Sequence, residues 1–431
     1  MNLKYQHPAD QLVMIMQRIY EGGMTTTSGG NLSIMDDDGN IWITPAGVDK
    51  GSLTRQDIVC IHPDGSMEGI HKPSSEFPFH QSVYRRRPDI KAVLHAHPPA
   101  LVAFSIARRL PSIDLLPTVR QTCGELAMAV YAVPGSQELG ENIAQKFDEG
   151  VNIAILENHG VCIGCKDMFT AFMAFETLET SARVEITANK IGKPNTITPD
   201  AFMQTRTRYH LLLDSFTPRT HSPEECAARR DMINMIHRSY RQGLFNATHG
   251  TYSVKLSDGS FLITPFGKDR AYLTEEDLVR VKAGMSEDGK TPSRAVKFHE
   301  AIYNANPDIG AVLLAHPTHV MAFAVTDTPF DTRTIPESYI LLREVEKRPF
   351  SDIYLDPVGT AKCFTEAHPV MMFKNDCVVT TGKNLLQAFD RLEVAEATAH
   401  SIVNAMDIGS IQHITDDELA EIKVAFNLKD E

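Results

Sequence analysis

Residues 72–104 read KPSSEFPFHQSVYRRRPDIKAVLHAHPPALVAF, and residues 291–323 read TPSRAVKFHEAIYNANPDIGAVLLAHPTHVMAF. The two stretches align without a gap and agree at 16 of 33 positions. Further out, GNIWITPAGVDKGSLTRQDIVCI (39–61) matches GSFLITPFGKDRAYLTEEDLVRV (259–281) at 10 of 23 positions. The copies lie about 220 residues apart, too long a period for a solenoid of roughly 20–50-residue repeats. A duplicated domain is therefore expected: residues 1–200 as the first copy, 201–222 as a linker, and 223–431 as the second. The stretch around the linker carries Pro194, Pro199, Pro218 and Pro223, which interrupt regular elements, although 201–214 can form a helix.

One copy has a readable pattern. Leu12, Ile15, Met16 and Ile19 recur at helical spacing within 8–21. Residues 31–35 and 40–44 flank Asp36-Asp37-Asp38-Gly39, a hairpin signal. A helix is expected over 76–87, a buried strand over 90–95, and another over 151–156 that runs into Glu157-Asn158-His159-Gly160. Residues 167–192 carry alanines and apolar residues at i, i+3 and i+4 and predict a long helix. The fold class expected is α/β: a three-layer α/β/α arrangement with a largely antiparallel central sheet, in two tandem copies.

Composition narrows the function classes. The 431 residues are 42% hydrophobic and 23% charged, ordinary for a globular protein. With 55 acidic against 42 basic residues the formal charge is −13, which disfavours nucleic acid and anionic membranes as partners. Seven scattered cysteines suit free thiols in a reducing compartment. The opening residues lack a basic segment followed by an apolar one, and no run of 18 apolar residues occurs. The expected location is cytoplasmic.

The chemistry sits in the first copy. His95 and His97 lie at i and i+2 at the end of a predicted strand, so both rings face one side and can grip one ion. His159 adds a third imidazole from a turn after another strand. Three imidazoles with a fourth position open to water or substrate is what a catalytic zinc requires. A satisfied core pair would show the same His-x-His spacing. Glu76 nearby, and the fate of these positions in the second copy, weigh against that.

Thr27-Ser28-Gly29-Gly30-Asn31, Ile43-Thr44-Pro45-Ala46-Gly47, Pro73-Ser74-Ser75-Glu76, His95-Ala96-His97 and Asn158-His159-Gly160 resemble, in order and spacing, the motifs of the class II aldolase/adducin family. The closest pattern is that of L-fuculose-1-phosphate aldolase. The resemblance spans about residues 8–190 and, more weakly, 228–405. It implies zinc, one per chain, on His95, His97 and His159, with Glu76 as a further resting ligand or as the acid/base that moves a carbon-bound proton. Such a zinc stabilises the enediolate left by carbon–carbon cleavage. It further implies that Ser28, Asn31, Gly47, Ser74 and Ser75 cradle the phosphate of a sugar phosphate, the serines lying just before a helix whose dipole favours an anion.

The activity implied is an aldolase cleaving a fuculose- or rhamnulose-phosphate-like ketose to dihydroxyacetone phosphate and an aldehyde. A sugar-phosphate 4-epimerase or dehydratase and a non-catalytic adducin-like assembly protein are the alternatives. Family aldolases often bring a tyrosine from a neighbouring subunit; here Ser112-Ile113-Asp114-Leu115-Leu116 has none. Family epimerases typically carry aspartate where this chain has Glu76. Family sites also lie between subunits of a cyclic tetramer, so a homodimer forming a pseudo-tetramer of domains is expected.

The second copy has lost the set. Glu76 aligns with Ala295, Ser75 with Arg294, His95 with Leu314, His159 with Asp376 and Asn31 with Thr251; only His97 keeps its counterpart, His316. That copy is expected to fold without binding zinc, and Tyr339, Arg343 and Arg294 are its candidates for a replacement proton donor. His80 and His299 match between copies, which suggests a structural role. Cys162-Ile163-Gly164-Cys165 is a lone C-x-x-C and reads as buried strand rather than redox or metal chemistry.

Overall fold

The computed structural model describes residues 6–206 and 213–428. The chain divides into two compact units, Met1–Asp114 with Thr118–Arg183, and Leu115–Pro117 with Val184–Glu431.

The first unit is built around an eight-stranded sheet. Its strands are β1 (Asn31–Met35), β2 (Ile41–Ile43), β3 (Val59–Ile61), β4 (Met67–Glu68), β5 (Ala92–Ala96), β6 (Leu126–Ala129), β7 (Ile153–Leu156) and β8 (Gly160–Cys165). The order is β4-β3-β2-β1-β5-β8-β7-β6, and every pairing is antiparallel except β6 with β7. The helices are α1 (Pro8–Glu21), α2 (Phe77–Arg86), α3 (Pro99–Ile106), α4 (Pro117–Cys123), α5 (Gln137–Asp148) and α6 (Met168–Ile191). On one face Phe79, Val83 and Tyr84 of α2 and Leu139, Ile143 and Phe147 of α5 pack over Val93, Ala154, Leu156 and Cys162. α1 and α3 pack on β1, β2, β7 and β8, and the Arg18 guanidinium of α1 lies 4.3 Å from the Phe172 ring centre of α6.

Local sequence explains the elements that matter. α1 begins where the His7 ring accepts the Ala9 N–H, and it buries Leu12, Ile15, Met16 and Ile19, the stripe expected from the 3.6-residue period. Each such side chain contributes about 1.5–3 kcal/mol on burial. The β1–β2 turn is closed by Asp36, whose carboxylate accepts from the Asp38 and Asn40 N–H groups and from Trp42 Nε1. The strand expected over 151–156 is β7, the first strand of the hairpin β7–β8, which turns at Asn158 with φ of 53°, a left-handed conformation that asparagine tolerates.

The second unit repeats the plan. After α7 (Pro199–Arg206) come β9 (Ser215–Phe216), α8 (Pro223–Gln242), β10 (Thr251–Lys255), β11 (Phe261–Ile263), β12 (Val279–Lys282), β13 (Met285–Glu287), α9 (Val296–Ala305), β14 (Ala311–Ala315), β15 (Glu346–Arg348), β16 (Val370–Phe373) and β17 (Cys377–Gly382). The sheet order is β15-β16-β17-β14-β10-β11-β12-β13-β9. The helix expected over 201–214 is α7 as far as Arg206; positions 207–212 lie outside the described residues. β9 runs parallel to β13, adding a strand that the first sheet does not have. Among the described residues no helix is long and apolar enough to cross a membrane.

Registers make the internal alignment physical. Asn31 pairs with His95 in the first sheet, and Thr251 pairs with Leu314 in the second. Ala96 pairs with Val161, and Ala315 with Val378, so His159 and Asp376 occupy equivalent places two residues earlier.

Both copies also cap one helix with an acid, buried in the first copy and half-buried in the second. Glu179 accepts from the Ala100 and Leu101 N–H groups at 3.2 and 3.0 Å, and Glu396 accepts from His319 and Val320. These carboxylates satisfy helix-terminal donors that have no intrahelical partner. Replacing Glu179 by Ala should strand the α3 donors and cost about 1–3 kcal/mol, read as an earlier urea midpoint; an unchanged midpoint would show that the cap contributes nothing.

Candidate metal and acid/base site

α2 begins immediately after Glu76, and its Glu76 carboxylate faces the end of β5. β5 carries His95, fully buried, with His97 one residue past its last member. The β7–β8 turn supplies His159, whose N–H reaches the Ser105 hydroxyl at 3.0 Å while that hydroxyl donates to the Leu156 carbonyl at 2.7 Å. Ser105 therefore pins the turn from α3.

The three rings converge. Their centres stand 4.8 Å apart for His95–His97, 4.8 Å for His95–His159 and 5.0 Å for His97–His159. One ligand atom from each lies within 4.8 Å of the others; among the described residues no other group of His, Cys, Asp or Glu side chains does this. His95 Nδ1 is 2.9 Å from the Val161 carbonyl. A carbonyl only accepts, so Nδ1 carries the proton and Nε2 presents its lone pair. That Nε2 is 3.0 Å from His97 Nε2 and 3.3 Å from Glu76 Oε2, while Glu76 Oε1 is 3.6 Å from His159 Nε2.

Electrostatics keep the rings neutral. Burial, followed by the His97 and His159 rings, pushes His95 well below the usual imidazole range. Burial and then His159 bring His97 down to about 4. Burial lowers His159, opposed by the Glu76 carboxylate. Neutral imidazoles aimed at one point beside a carboxylate fit a divalent transition metal. One further atom speaks for that fit: Glu76 Oε1 is buried with no hydrogen-bond partner among the described residues.

Glycines make the crowding possible. A Cβ on Gly160 would stand 2.5 Å from the Ala96 carbonyl and 2.7 Å from His97 Cδ2, and one on Gly29 would stand 2.9 Å from His97 Nδ1. Sequence reasoning named these glycines only as parts of motifs. In the second copy the place of Gly29 is taken by His249, whose ring centre is 6.0 Å from that of His316.

Apart from Asn31, the expected anion-binding residues lie on three loops, before β1, after β2 and before α2. Ser74 is buried and its hydroxyl accepts the Glu76 N–H at 3.3 Å; Ser75 is exposed. Ser28 is exposed on the loop before β1, and Gly47 is exposed at φ of 69°. These loops are stitched together: Ser74 N–H to the Thr44 carbonyl, Ala46 N–H to Lys72, and Lys50 N–H to Thr27. Lys50, missed in the sequence, is buried and its ammonium donates to the Pro45 carbonyl at 2.5 Å. Burial lowers its pKa. Arg270 does the same in the second copy, reaching the Pro265 and Gly250 carbonyls, so this cation belongs to the fold of the loops. The signal was available in the aligned Lys50 and Arg270.

Asn31 is more committed than expected. Its Nδ2 donates to Glu76 Oε2 at 2.8 Å, and its Oδ1 meets His80 Nε2 at 2.5 Å. One Nδ2 hydrogen remains for a ligand.

In the second unit Leu314 and Ala295 leave no imidazole or carboxylate at two of the places. Asp376, raised by burial to about 7, accepts the Tyr354 hydroxyl at 2.9 Å.

A family model described as the class II aldolase and adducin N-terminal domain matches residues 10–186 and again 230–403. The chain is 32% identical over 183 residues to a 3-oxo-tetronate 4-phosphate decarboxylase of Pectobacterium atrosepticum, covering 42% of this chain and 84% of the relative. It is 33% identical over 184 residues to an L-fuculose phosphate aldolase of Methanococcus maripaludis, covering 42% and 97%. It is 30% identical over 203 residues to a 5-deoxy-D-ribulose 1-phosphate aldolase of Bacillus thuringiensis, covering 45% and 92%. Each relative is matched by less than half of the chain, as a doubled domain requires. With its motifs in order and the domain matched twice, the chain belongs to the class II aldolase and adducin N-terminal domain family as two tandem copies.

Proposed function

We propose that the first copy is a zinc-dependent lyase that breaks a carbon–carbon bond beside a carbonyl in a phosphorylated sugar. The reading preferred is an aldolase that releases dihydroxyacetone phosphate and an aldehyde from a fuculose- or rhamnulose-phosphate-like ketose. The observation that carries it is the convergence of three neutral imidazoles on Glu76, whose Oε1 is buried and free of hydrogen bonds. A scaffold protein has no use for that set, which is why the adducin-like assembly reading ranks lower.

His95, His97, His159 and, in the resting site, Glu76 would hold one divalent ion per chain. When bound, that ion supplies Lewis-acid charge at a substrate oxygen. Glu76 Oε1 takes or returns the proton at the carbon beside the carbonyl, in reach of a ligand seated against the imidazoles. Ser28, Gly47, Ser74, Ser75 and the remaining Asn31 N–H hold the phosphate at the start of α2, where backbone donors and the helix dipole favour an anion. Burial of His95 and Glu76 excludes bulk water from the reacting face and strengthens these interactions.

Decarboxylation of a phosphorylated 3-keto acid is the second reading. It is favoured by the Pectobacterium relative and by the tyrosine-free Ser112–Leu116 segment. Loss of carbon dioxide leaves the same kind of electron-rich fragment as aldol cleavage but needs no group to take the hydroxyl proton from the carbon that becomes an aldehyde. A 4-epimerase or dehydratase would use the same imidazoles.

The second copy serves as a folded partner, and the chain dimerises into a pseudo-tetramer of domains with two working sites. The seven free cysteines suit a reducing cytoplasm.

Metal analysis of the protein purified without chelator should find about one zinc or similar ion per chain, lost in His95→Ala; two per chain would show that the second copy also binds, and none would move the scaffold reading ahead. His159→Ala should abolish turnover, while Asp376→Asn should leave it near wild type; the reverse pattern would exchange the roles of the copies. A panel of ketose phosphates and phosphorylated 3-keto acids separates the first two readings, by aldehyde release against carbon dioxide release. Mass measurement in solution should give a species near twice the 47.9 kDa chain; a fully active monomer would refute the dimer.

A further inference from the structure

Glu76, the N-cap of α2, and His80 and Tyr84 within it are spaced by four and share one stripe, and Asn31 and Ser33 share one face of β1. The two sets interlock. The Tyr84 hydroxyl is 2.7 Å from Ser33 Oγ, Ser33 Oγ is 2.7 Å from His80 Nδ1, His80 Nε2 is 2.5 Å from Asn31 Oδ1, and Asn31 Nδ2 is 2.8 Å from Glu76 Oε2. Ser33 and His80 are fully buried, and Tyr84, Asn31 and Glu76 are each below a tenth exposed.

Donor and acceptor roles follow from the carboxylate end. An ionised carboxylate only accepts, so the Asn31 NH₂ faces Glu76 and its carbonyl faces His80. His80 Nε2 must then carry a proton. Burial drives the His80 pKa down to about 3, so the ring is neutral and holds one proton only. Nδ1 is therefore bare and accepts from Ser33, whose oxygen in turn accepts from Tyr84. Every donor points toward Glu76, the arrangement in which successive hydrogen bonds polarise one another.

We infer that Tyr84, Ser33, His80 and Asn31 form a positioning chain that fixes Glu76 Oε2 and leaves Oε1 as the oxygen for metal and proton. The inference rests on the reading of Glu76 as ligand and acid/base. His80 is then a positioning residue that acts through Asn31, and Ser33 sets its tautomer.

The second copy is an internal control. Ser253 Oγ is 2.7 Å from His299 Nδ1 and 2.7 Å from the Tyr303 hydroxyl, so the Tyr–Ser–His part survives. Thr251 replaces Asn31 and turns to Ser293 at 2.6 Å, Ala295 replaces Glu76, and His299 Nε2 has no hydrogen-bond partner among the described residues. The part shared by both copies serves packing of helix on sheet. The part found only in the first leads from the imidazole to the carboxylate.

The test compares matched variants in the full chain: Ser33→Ala with Ser253→Ala, and His80→Gln with His299→Gln. Cobalt binding is followed by its visible absorption, and exchange of the carbon-bound hydrogens of dihydroxyacetone phosphate with deuterated water is followed by NMR. Ser33→Ala and His80→Gln should weaken cobalt binding or slow the exchange by about 10–100-fold, the usual cost of losing an outer-shell partner. The loss should fall on kcat with KM within about twofold, and the second-copy variants should match wild type in both assays. Equal losses in both copies would reduce the chain to a folding element. Wild-type cobalt binding and exchange in folded Ser33→Ala would overturn the inference, and that variant suffices where His80→Gln does not fold. Failure of the wild type itself to take up cobalt would instead sink the metal reading, and this inference with it.

Discussion

Four residues of helix and two residues of strand advance by nearly the same distance, about 6.0 Å against about 6.6 Å, and the candidate site depends on that match. Because α2 lies along β1, a stripe of every fourth helical residue meets a stripe of every second strand residue. Polar side chains at those positions close a continuous buried ladder, with Tyr84 and Ser33 at one end and Asn31 and Glu76 at the other. An unpaired polar group in that interior would carry a desolvation penalty of about 1–3 kcal/mol, so the ladder is stable only when complete. Its end coincides with the start of α2, where the Glu76 carboxylate meets β5. The position of the acid is thus set by secondary-structure geometry before any ligand arrives.

The imidazoles are held by different means. His95 is fixed by a strand register and by the Val161 carbonyl on β8, which also decides its tautomer. His97 lies beyond the strand, and its ring has space only because Gly29 and Gly160 carry no side chain. His159 depends on a turn with a left-handed asparagine and on Ser105. Burial then keeps the rings unprotonated at neutral pH, so the lone pairs that a metal needs are exposed by the fold itself. The carboxylate beside them supplies negative charge where a cation would sit.

Much of this was legible in the residues. The duplication, α1, the β1–β2 hairpin, α6 and the mixed sheet follow from periodicity and from comparing the halves, because those signals are local or repeated. The convergence of His95, His97, His159 and Glu76 was legible through motif resemblance and through their joint loss in the second half. The hydrogen-bond ladder was not. Glu76, His80 and Tyr84 show helical spacing and Asn31 and Ser33 show strand spacing, but nothing in one sequence says which helix lies on which strand. His80 read as structural because His299 matches it, and the shared Tyr–Ser–His contacts bear that much out; only the partner of Nε2 separates the two copies. Lys50 escaped notice because its partners are backbone carbonyls, which leave no mark on composition. β9 escaped because a two-residue strand has no period to detect.

The second copy shows how a site is dismantled while its fold is kept. Ala295 and Leu314 are smaller or apolar replacements that remove the acid and one imidazole without leaving buried charge, and both positions stay buried. Asp376 does introduce a buried carboxyl, and its surroundings answer in two ways: the Tyr354 hydroxyl donates to it, and burial raises its pKa to about 7, so that near neutral pH a large share carries no charge. His249 stands where the first copy has Gly29, its ring centre 6.0 Å from that of His316, the counterpart of His97. By contrast Arg270, Glu396 and the Ser253–His299–Tyr303 contacts preserve loop ties, a helix cap and helix-on-sheet packing. The substitutions therefore sort by physical role, with convergent ligands lost and buried hydrogen bonds of the scaffold retained. That sorting is what the proposed placing of the chemistry in the first copy requires.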